Sequence, residues 1–474
     1  ESPLLEIIEG LEVFKSNQPN QSISLDCEFK QSPIHGAFEV KSQPAIVNPN
    51  DKRCNGKHPW KKSLAKYAGQ PLQISHQERL LGINAVKNLY KEVPNIGVVK
   101  VLTTVEAITG TKSQGSNSID LTTSPGLPYK ERTAMKGKTE HIRHDTATNS
   151  WQISDVIFND VEEYEEKYSN LEIPLNYKCE FVKHELVGQN KIDEPKARTV
   201  GTVNVIHLIL YRKCFGDLSR LLKLHNVGRN HCAIGINPES SDWNNMAQKN
   251  LEFLDKIISL DVKSWESIVD LNLLRSVTEA KIQVIEEAYR RRGEILNYDI
   301  RRIAHGLAVD YIDSFVCFTD VIIRKRNGLL SGHPGTLVEN SDIHAFLLFI
   351  LWIRFMNEKN ARLATFVAWR HHMRFIVAGD DCLIAISNKI AYFTIDDIVK
   401  GYLDLGLTVT AADKSLNYTT EDISKVEFLK MGFRLCIQGY VMYPNLSIIY
   451  QLMNWVRKGK NDYLEQFETN VLTA

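Results

Sequence analysis

The chain lacks paired cysteines. Its eight cysteines (Cys27, Cys54, Cys179, Cys214, Cys232, Cys317, Cys382 and Cys436) stand singly, with no CxxC pair and no Cys/His cluster. That spacing excludes a zinc ribbon or finger and a disulfide framework, and it points to a reducing compartment. Charge of one sign is lacking as well: 57 Lys plus Arg balance 57 Asp plus Glu. An overall polycation that holds nucleic acid by bulk attraction is therefore excluded, and any such channel must come from local segregation of charge. Candidate clusters are Arg290-Arg291-Arg292, Arg324-Lys325-Arg326 and residues 370–374, with solvated surface as the plain alternative for each. There is no GxxxxGK[ST] phosphate loop, no repeat and no low-complexity segment. Long apolar runs are missing too. The most apolar stretch, residues 345–353, is bracketed by His344 and Arg354, well short of the roughly 20 residues of a membrane span. A buried helix is expected there.

What is present is ample core material, with 43% of residues hydrophobic in a chain of 474, enough for two or three subdomains. The chain opens on Glu1 without a basic-then-apolar leader, so the expectation is a product cut from a polyprotein or an excerpt of a longer chain. The first 70 residues, rich in Asn, Gln, Ser and Pro, read as extended chain packed on something else. Residues 122–129 carry two prolines and a glycine and cannot be helix. From Val205 to Leu224 apolar residues recur at helical spacing (Leu208, Tyr211, Phe215, Leu218, Leu222). Residues 257–261 read as a buried strand closing on Asp261, residues 340–355 as a long buried helix, and residues 373–386 as two short strands around Gly379-Asp380-Asp381. The expected class is an α+β core with acids at strand ends.

Those acids carry the chemistry. Joining a nucleotide to a 3′ hydroxyl displaces pyrophosphate in line, and two divalent ions clamping the attacking and leaving oxygens need carboxylates from separate elements. Mg²⁺ takes a few carboxylates with water and phosphate oxygens. Asp261 and Asp380 are the candidate ligands, with Asp381 supporting. Upstream, Ser331-Gly332-His333-Pro334-Gly335-Thr336 and then Asn340-Ser341 offer close backbone approach and hydrogen bonds to a sugar; the plain alternative is a loop with a helix cap at Asn340 or Ser341. Lys183, Lys191, Lys196 and Arg198 suit triphosphate oxygens, with an exposed charged loop as the plain alternative. Lys414, in Ala412-Asp413-Lys414-Ser415, is a candidate to protonate a leaving pyrophosphate, with an ordinary surface lysine as the plain alternative.

Together these motifs resemble the RNA-dependent RNA polymerases of picornaviruses and their relatives, in order as well as content. Lys183-His184-Glu185-Leu186, Lys191 and Lys196-Ala197-Arg198 resemble the family's nucleotide-admission motif, and Asp261-Val262-Lys263-Ser264-Trp265-Glu266 its first catalytic motif. Residues 331–341 resemble Ser-Gly-x-x-Gly-Thr-x-x-x-Asn-Ser, and Ala378-Gly379-Asp380-Asp381 stands for Tyr-Gly-Asp-Asp. Asp413-Lys414-Ser415, Phe428-Leu429-Lys430 and the template loop Thr123-Ser124-Pro125-Gly126-Leu127-Pro128-Tyr129 complete seven motifs, and the similarity runs from about Ser32 onward.

The resemblance implies a closed right hand with an antiparallel palm sheet flanked by helices. Fingers would occupy residues 1–216 and 269–328, palm 217–268 and 329–435, and an incomplete thumb 436–474. It implies Asp261, Asp380 and Asp381 as ligands of two Mg²⁺ ions, with Mn²⁺ able to substitute, and Lys414 as general acid. Lys183, Lys191, Lys196 and Arg198 would meet the triphosphate; Glu266, Ser331, Gly332, Thr336 and Asn340 would sense the ribose. Thr123, Ser124, Pro125, Gly126 and Lys430 would contact RNA, Lys430 at the primer grip. Implied partners are template RNA and primer-product duplex, ribonucleoside triphosphates, a viral peptide primer and other replication proteins. The implied location is the host cytoplasm at membrane-associated replication complexes, with no transmembrane segment. Glu266 stands for the usual Asp, Ala378 for Tyr and Val187 for Arg; the first bears on 2′-hydroxyl recognition. A reverse transcriptase would lack the ribose and nucleotide-admission motifs, and a silent scaffold would have no need of the metal-binding acids.

Overall fold

The computed structural model describes residues 11–15, 26–131, 135, 137–226, 230–251, 257–411, 415–418, 420–458 and 462–473. The apolar spacing noted above folds as a helix over Val205–Leu224, started by Asn204, whose side chain accepts from the His207 amide. The most apolar stretch lies in a longer helix, Thr336–Lys359, nearly all of it buried. That burial on every face marks a core helix and explains why it has no polar side. The helix begins at Thr336, a turn earlier than expected, after Gly335 and without a side-chain cap. Asn340 and Ser341, the alternative caps, therefore lie one turn inside it and are free for other partners. His76–Lys91 (with a Ser75/Glu78 capping box), Leu271–Arg292 and Ile300–Ile312 pack around this centre.

Four strands form an antiparallel sheet in the order 373–378, 381–386, 257–262, 409–411. Alternate residues of its strands enter two separate apolar layers. Ile258, Phe375, Val377 and Ile384 join the main core, whereas Ile257, Ile376, Leu383 and Ala385 pack with Trp243 and Met246 of the helix Ser241–Leu251. Both faces being covered, the strands are mostly apolar, with Ser259, Arg374 and Thr410 as polar exceptions, and their acid-bearing ends open outward.

A five-stranded sheet joins Glu12–Lys15, Val321–Lys325, Ser314–Phe318, Tyr177–Val182 and Thr199–Thr202 in that order. Near the chain's far end, Trp455–Arg457 pairs antiparallel with Phe29–Gln31, and the Trp455 indole donates to the Ser42 carbonyl at 3.0 Å. Phe29–Gln31 and Gln43–Pro44 are thus short extended pieces paired with other parts of the molecule, but Lys52–Cys54, Lys61–Leu64 and Ala65–Ala68 are helical turns, so the extended-chain expectation for the first 70 residues holds only in part.

Candidate active site

Strand register brings the acids together. Asp261 lies directly opposite Asp381, with Thr410 on its other side, and Ala378 faces Asp381 across the hairpin. Gly379 and Asp380 form the two-residue turn, and Gly379 has φ +73°, as the first position of a tight hairpin requires. Asp380 is exposed while Asp261 and Asp381 are half-buried, so all three reach the same open rim. Among the described residues no group of three or more His, Cys, Asp or Glu forms a closed metal cage. An open set of carboxylate oxygens nonetheless fits a hard divalent ion that completes its shell with water and phosphate.

The Gly379 turn is held from behind by the helix Thr336–Lys359. The Gly379 amide donates to Ser341 Oγ at 3.0 Å, and its carbonyl lies 2.9 Å from His344 Nδ1. A carbonyl only accepts, so Nδ1 carries the proton, and Nε2 accepts from the Tyr402 hydroxyl at 2.7 Å. Burial pushes the His344 imidazole down to about 4, with the Gly379 bond opposing, so the ring is neutral at physiological pH. A Cβ placed on Gly379 would lie 3.8 Å from Asn340 Cβ, which sets Asn340 beside the turn. Asn340 is 9% exposed and its Oδ1 has no hydrogen-bond partner among the described residues. An unpartnered buried acceptor next to the acids is the feature expected of a group that awaits a ligand hydroxyl.

The loop before that helix is tied to the neighbouring sheet. The Gly332 amide donates to the Gly201 carbonyl at 2.8 Å, and Gly335 leaves no room for a Cβ, which would fall 1.9 Å from the Tyr211 hydroxyl. Thr336 Oγ1 lies 3.0 Å from the Leu330 carbonyl and 2.9 Å from that of His333, so its hydroxyl braces its own loop; Ser331 and Gly332 are exposed. Behind the loop runs a directed chain of buried groups. The Gly335 amide donates to His333 Nδ1 (3.1 Å), His333 Nε2 to His207 Nε2 (3.2 Å), and His207 Nδ1 to Asp310 (2.9 Å). Burial favours the neutral form of both imidazoles. Asp310 also takes Lys178 Nζ at 2.8 Å; burial alone would raise its carboxyl, but Lys178 and His207 hold it below the ordinary range. Glu339, inside the same helix, accepts from Tyr211 at 2.7 Å and pairs with Lys281.

Lys183 and Arg198 flank the paired ends of Tyr177–Val182 and Thr199–Thr202, the Lys183 amide donating to the Arg198 carbonyl at 2.8 Å. Arg198 grips Glu185, with Nε at 2.8 Å from Oε1; burial opposes ionisation of Glu185, but the guanidinium lowers its carboxyl overall. Lys191 is lowered first by burial and then by the nearby cations Arg198, Lys196 and Lys430, with Glu185 opposing. Four basic side chains from three segments therefore share one field, a repulsion that a polyanion would relieve. A cleft of about 280 Å³ joins Lys196 and Arg198 to Lys62, Lys66, Ser264 and Ser267, beside the turn that follows Asp261. Lys430 is exposed with φ +61°.

In the loop of residues 122–129, Thr123 is exposed and Ser124 half-buried, whereas Pro125 and Gly126 are buried. Gly126 (φ +73°) abuts Asn204, 2.6 Å from a would-be Cβ, and the Pro125 carbonyl accepts from the Val205 amide at 2.8 Å. Those two residues fix the loop to a helix start, leaving Thr123 and Ser124 to face outward. Lys414 and the side chain of Glu266 lie outside the described residues.

The proposed basic clusters are largely engaged within the protein. Arg291 pairs with Glu287, Arg292 with Glu294, Arg324 with Asp313, Arg326 with Glu12 and Arg370 with Glu92. Lys325 is buried, donating to the Gly328 carbonyl at 2.7 Å. Lys191, Lys196, Arg198 and Lys430, by contrast, share one cationic field. Sequence reasoning did not single out His344, Tyr402, His207 or Asp310. The available signal was a histidine inside an apolar helix, four residues beyond Asn340.

Residues 35–474 match the family described as viral RNA-dependent RNA polymerase. The chain belongs to that family. It is 24% identical over 468 residues to the genome polyprotein of Rice tungro spherical virus (strain A), covering 94% of this chain and 13% of that one. It is 24% identical to the replicase polyprotein of Drosophila C virus, covering 94% and 26% respectively. Against the genome polyprotein of Poliovirus type 3 it is 23% identical, covering 92% and 18%. The chain thus spans a small part of the polyproteins it matches. A solved structure, Sicinivirus 3Dpol RNA dependent RNA polymerase, superposes with a TM-score of 0.78 at 19% identity, covering 95% of this chain and 88% of that one. The likeness shows the fold, of mixed helix and sheet.

Proposed function

We propose that this chain copies RNA, adding ribonucleotides to the 3′ hydroxyl of a strand paired with a positive-strand viral template. The observation that carries the proposal is the register of Asp261 opposite Asp381, with Asp380 on the adjoining turn and Asn340 beside it. The bond formed joins the 3′ oxygen to the α-phosphorus; the bond broken releases pyrophosphate, and the hydroxyl proton passes to solvent. Asp261, Asp380 and Asp381 would hold two Mg²⁺ ions (Mn²⁺ would fit the same oxygens), which supply activation of the hydroxyl and neutralisation of the leaving group. Lys191, Lys196 and Arg198 bind the triphosphate, Arg198 by exchanging Glu185 for phosphate oxygens. Asn340 receives the 2′ hydroxyl on its open Oδ1. Lys414 protonates the leaving pyrophosphate, a role resting on sequence alone.

The division into fingers, palm and thumb draws support from the sheets. The five-stranded sheet draws only on residues of the two finger segments, and the four-stranded sheet only on those of the two palm segments. Pairing of Trp455–Arg457 with Phe29–Gln31 supports a closed hand. Template RNA, duplex product and ribonucleoside triphosphates are the proposed partners.

The test is extension of a labelled RNA primer on an RNA template with four ribonucleoside triphosphates and Mg²⁺. Products reaching the template end, absent after chelation, are expected. Folded protein that never lengthens the primer would move the scaffold reading ahead.

A further inference from the structure

The Gly379 peptide presents both its polar groups to one helix. Its N–H reaches Ser341 Oγ at 3.0 Å and its C=O reaches His344 Nδ1 at 2.9 Å. Ser341 and His344 are three residues apart and so share a helix face. Each proton in this clamp has one direction. Ser341 Oγ donates to the Leu337 carbonyl at 2.7 Å, which leaves it an acceptor for Gly379. The Tyr402 hydroxyl, on the helix Ile395–Asp404, occupies His344 Nε2 and thereby keeps the proton on Nδ1. The imidazole also lies against Trp265, ring centres 4.8 Å apart, in the turn that follows Asp261. His344 therefore touches the turn that carries Asp380 and the turn that follows Asp261, and the same helix bears Asn340 one turn earlier.

We propose that His344 is a positioning residue for nucleotide addition: its Nδ1–H, held in that tautomer by Tyr402, fixes the Gly379 carbonyl and so the placement of Asp380 and Asp381. The inference rests on the reading of those acids as the metal-holding carboxylates. Reacting groups must be held to within about 0.5 Å, and a displacement of roughly 1 Å costs on the order of a hundredfold in rate. The two bonds from the helix to the Gly379 peptide hold the backbone of the turn to that accuracy.

Two replacements separate the donor from the bulk. In His344→Asn the amide nitrogen falls where Nδ1 stood and still donates to Gly379. In His344→Gln the amide reaches towards Tyr402, and the donor to Gly379 is lost. Single-nucleotide addition and hydrogen–deuterium exchange would be measured on both. For His344→Gln, kcat is expected to fall about ten- to a hundredfold with the nucleotide KM within about twofold, and exchange to rise in residues 376–382. For His344→Asn, kcat is expected within about threefold of wild type, with exchange there unchanged. Equal behaviour of the two variants would overturn the proposal, whether both match wild type or both lose activity with exchange spread over the whole sheet. If neither folds, Tyr402→Phe decides, since freeing Nε2 should lower kcat at constant KM, and an unchanged kcat would overturn it. Asp380→Asn run alongside keeps the two claims apart. Wild-type activity in that variant would sink the metal reading, while the local exchange of the His344 variants still reports on the clamp.

Discussion

Replacing Lys178 by methionine removes one ammonium from a site with no solvent to take its place. Side-chain exposure is 0% for Lys178 and 2% for Asp310, and the two are 2.8 Å apart. Methionine keeps the length of the stem but, among the described residues, leaves the Asp310 carboxylate with neutral partners, chiefly His207 Nδ1–H at 2.9 Å and Asn176 Nδ2 at 3.2 Å. Breaking a buried pair from one side costs about 3–5 kcal/mol, because the remaining charge stays buried without its counter-ion. The assay is urea unfolding followed by tryptophan fluorescence, with Lys178→Met, Asp310→Asn and the double variant forming a cycle. The double variant should be more stable than Lys178→Met alone, since it retains no uncompensated charge. The pH dependence has a definite sign. Asp310 is held below its usual value in the folded protein, so its contribution is present above about pH 4 and is lost as pH falls. The gap between wild type and Lys178→Met should therefore be widest near neutral pH and narrow progressively as pH falls below about 4 towards the folded-state value of Asp310. A loss under about 1 kcal/mol at pH 7, or a double variant weaker than the single, would refute the reasoning.

Two further outcomes follow from other parts of the molecule. Asn340→Asp turns the open Oδ1 amide into a charged group beside the acids, and should cut the preference for ribonucleotides over deoxyribonucleotides by about tenfold, measured as the ratio of kcat/KM values; unchanged selectivity would remove Asn340 from ribose sensing. Glu78 and Glu279 are both lowered to about 2: burial opposes this, but Arg354 and Ser75 act on Glu78, and His305, Arg301 and Gln283 on Glu279. Their stabilisation is present above about pH 4.5 and lost between there and about pH 2, so Tm should fall through that window, and less steeply in Arg354→Met or Arg301→Met.

Local pattern carried the elements whose signal is local. The apolar spacing of Val205–Leu224, the strand ending at Asp261 and the hairpin about Gly379 all folded as read. The start of Thr336–Lys359 was misplaced because Asn and Ser signal caps in isolation, whereas here their side chains face the Gly379 turn. Arg326 and Arg370 stood as candidate channel cations, with solvated surface as the plain alternative, because sequence cannot show that Glu12 and Glu92 lie beside them. Pairing of Trp455 with Gln31, and of His207 with Asp310, joins residues about 420 and 100 apart in sequence, and no periodicity reports such contacts. His344 was passed over for a similar reason. A histidine in an apolar run is read as core until the carbonyl it serves is seen.

The most direct test of the central claim is single-nucleotide addition by Asp380→Asn beside wild type, with primer-template RNA binding measured on both. Asparagine keeps the turn and removes one carboxylate charge, so addition should fall by at least about a hundredfold while RNA binding and unfolding stay near wild type. Wild-type rates in the variant would contradict the assignment of Asp380 to the metal site, and with it the account of how this chain joins nucleotides.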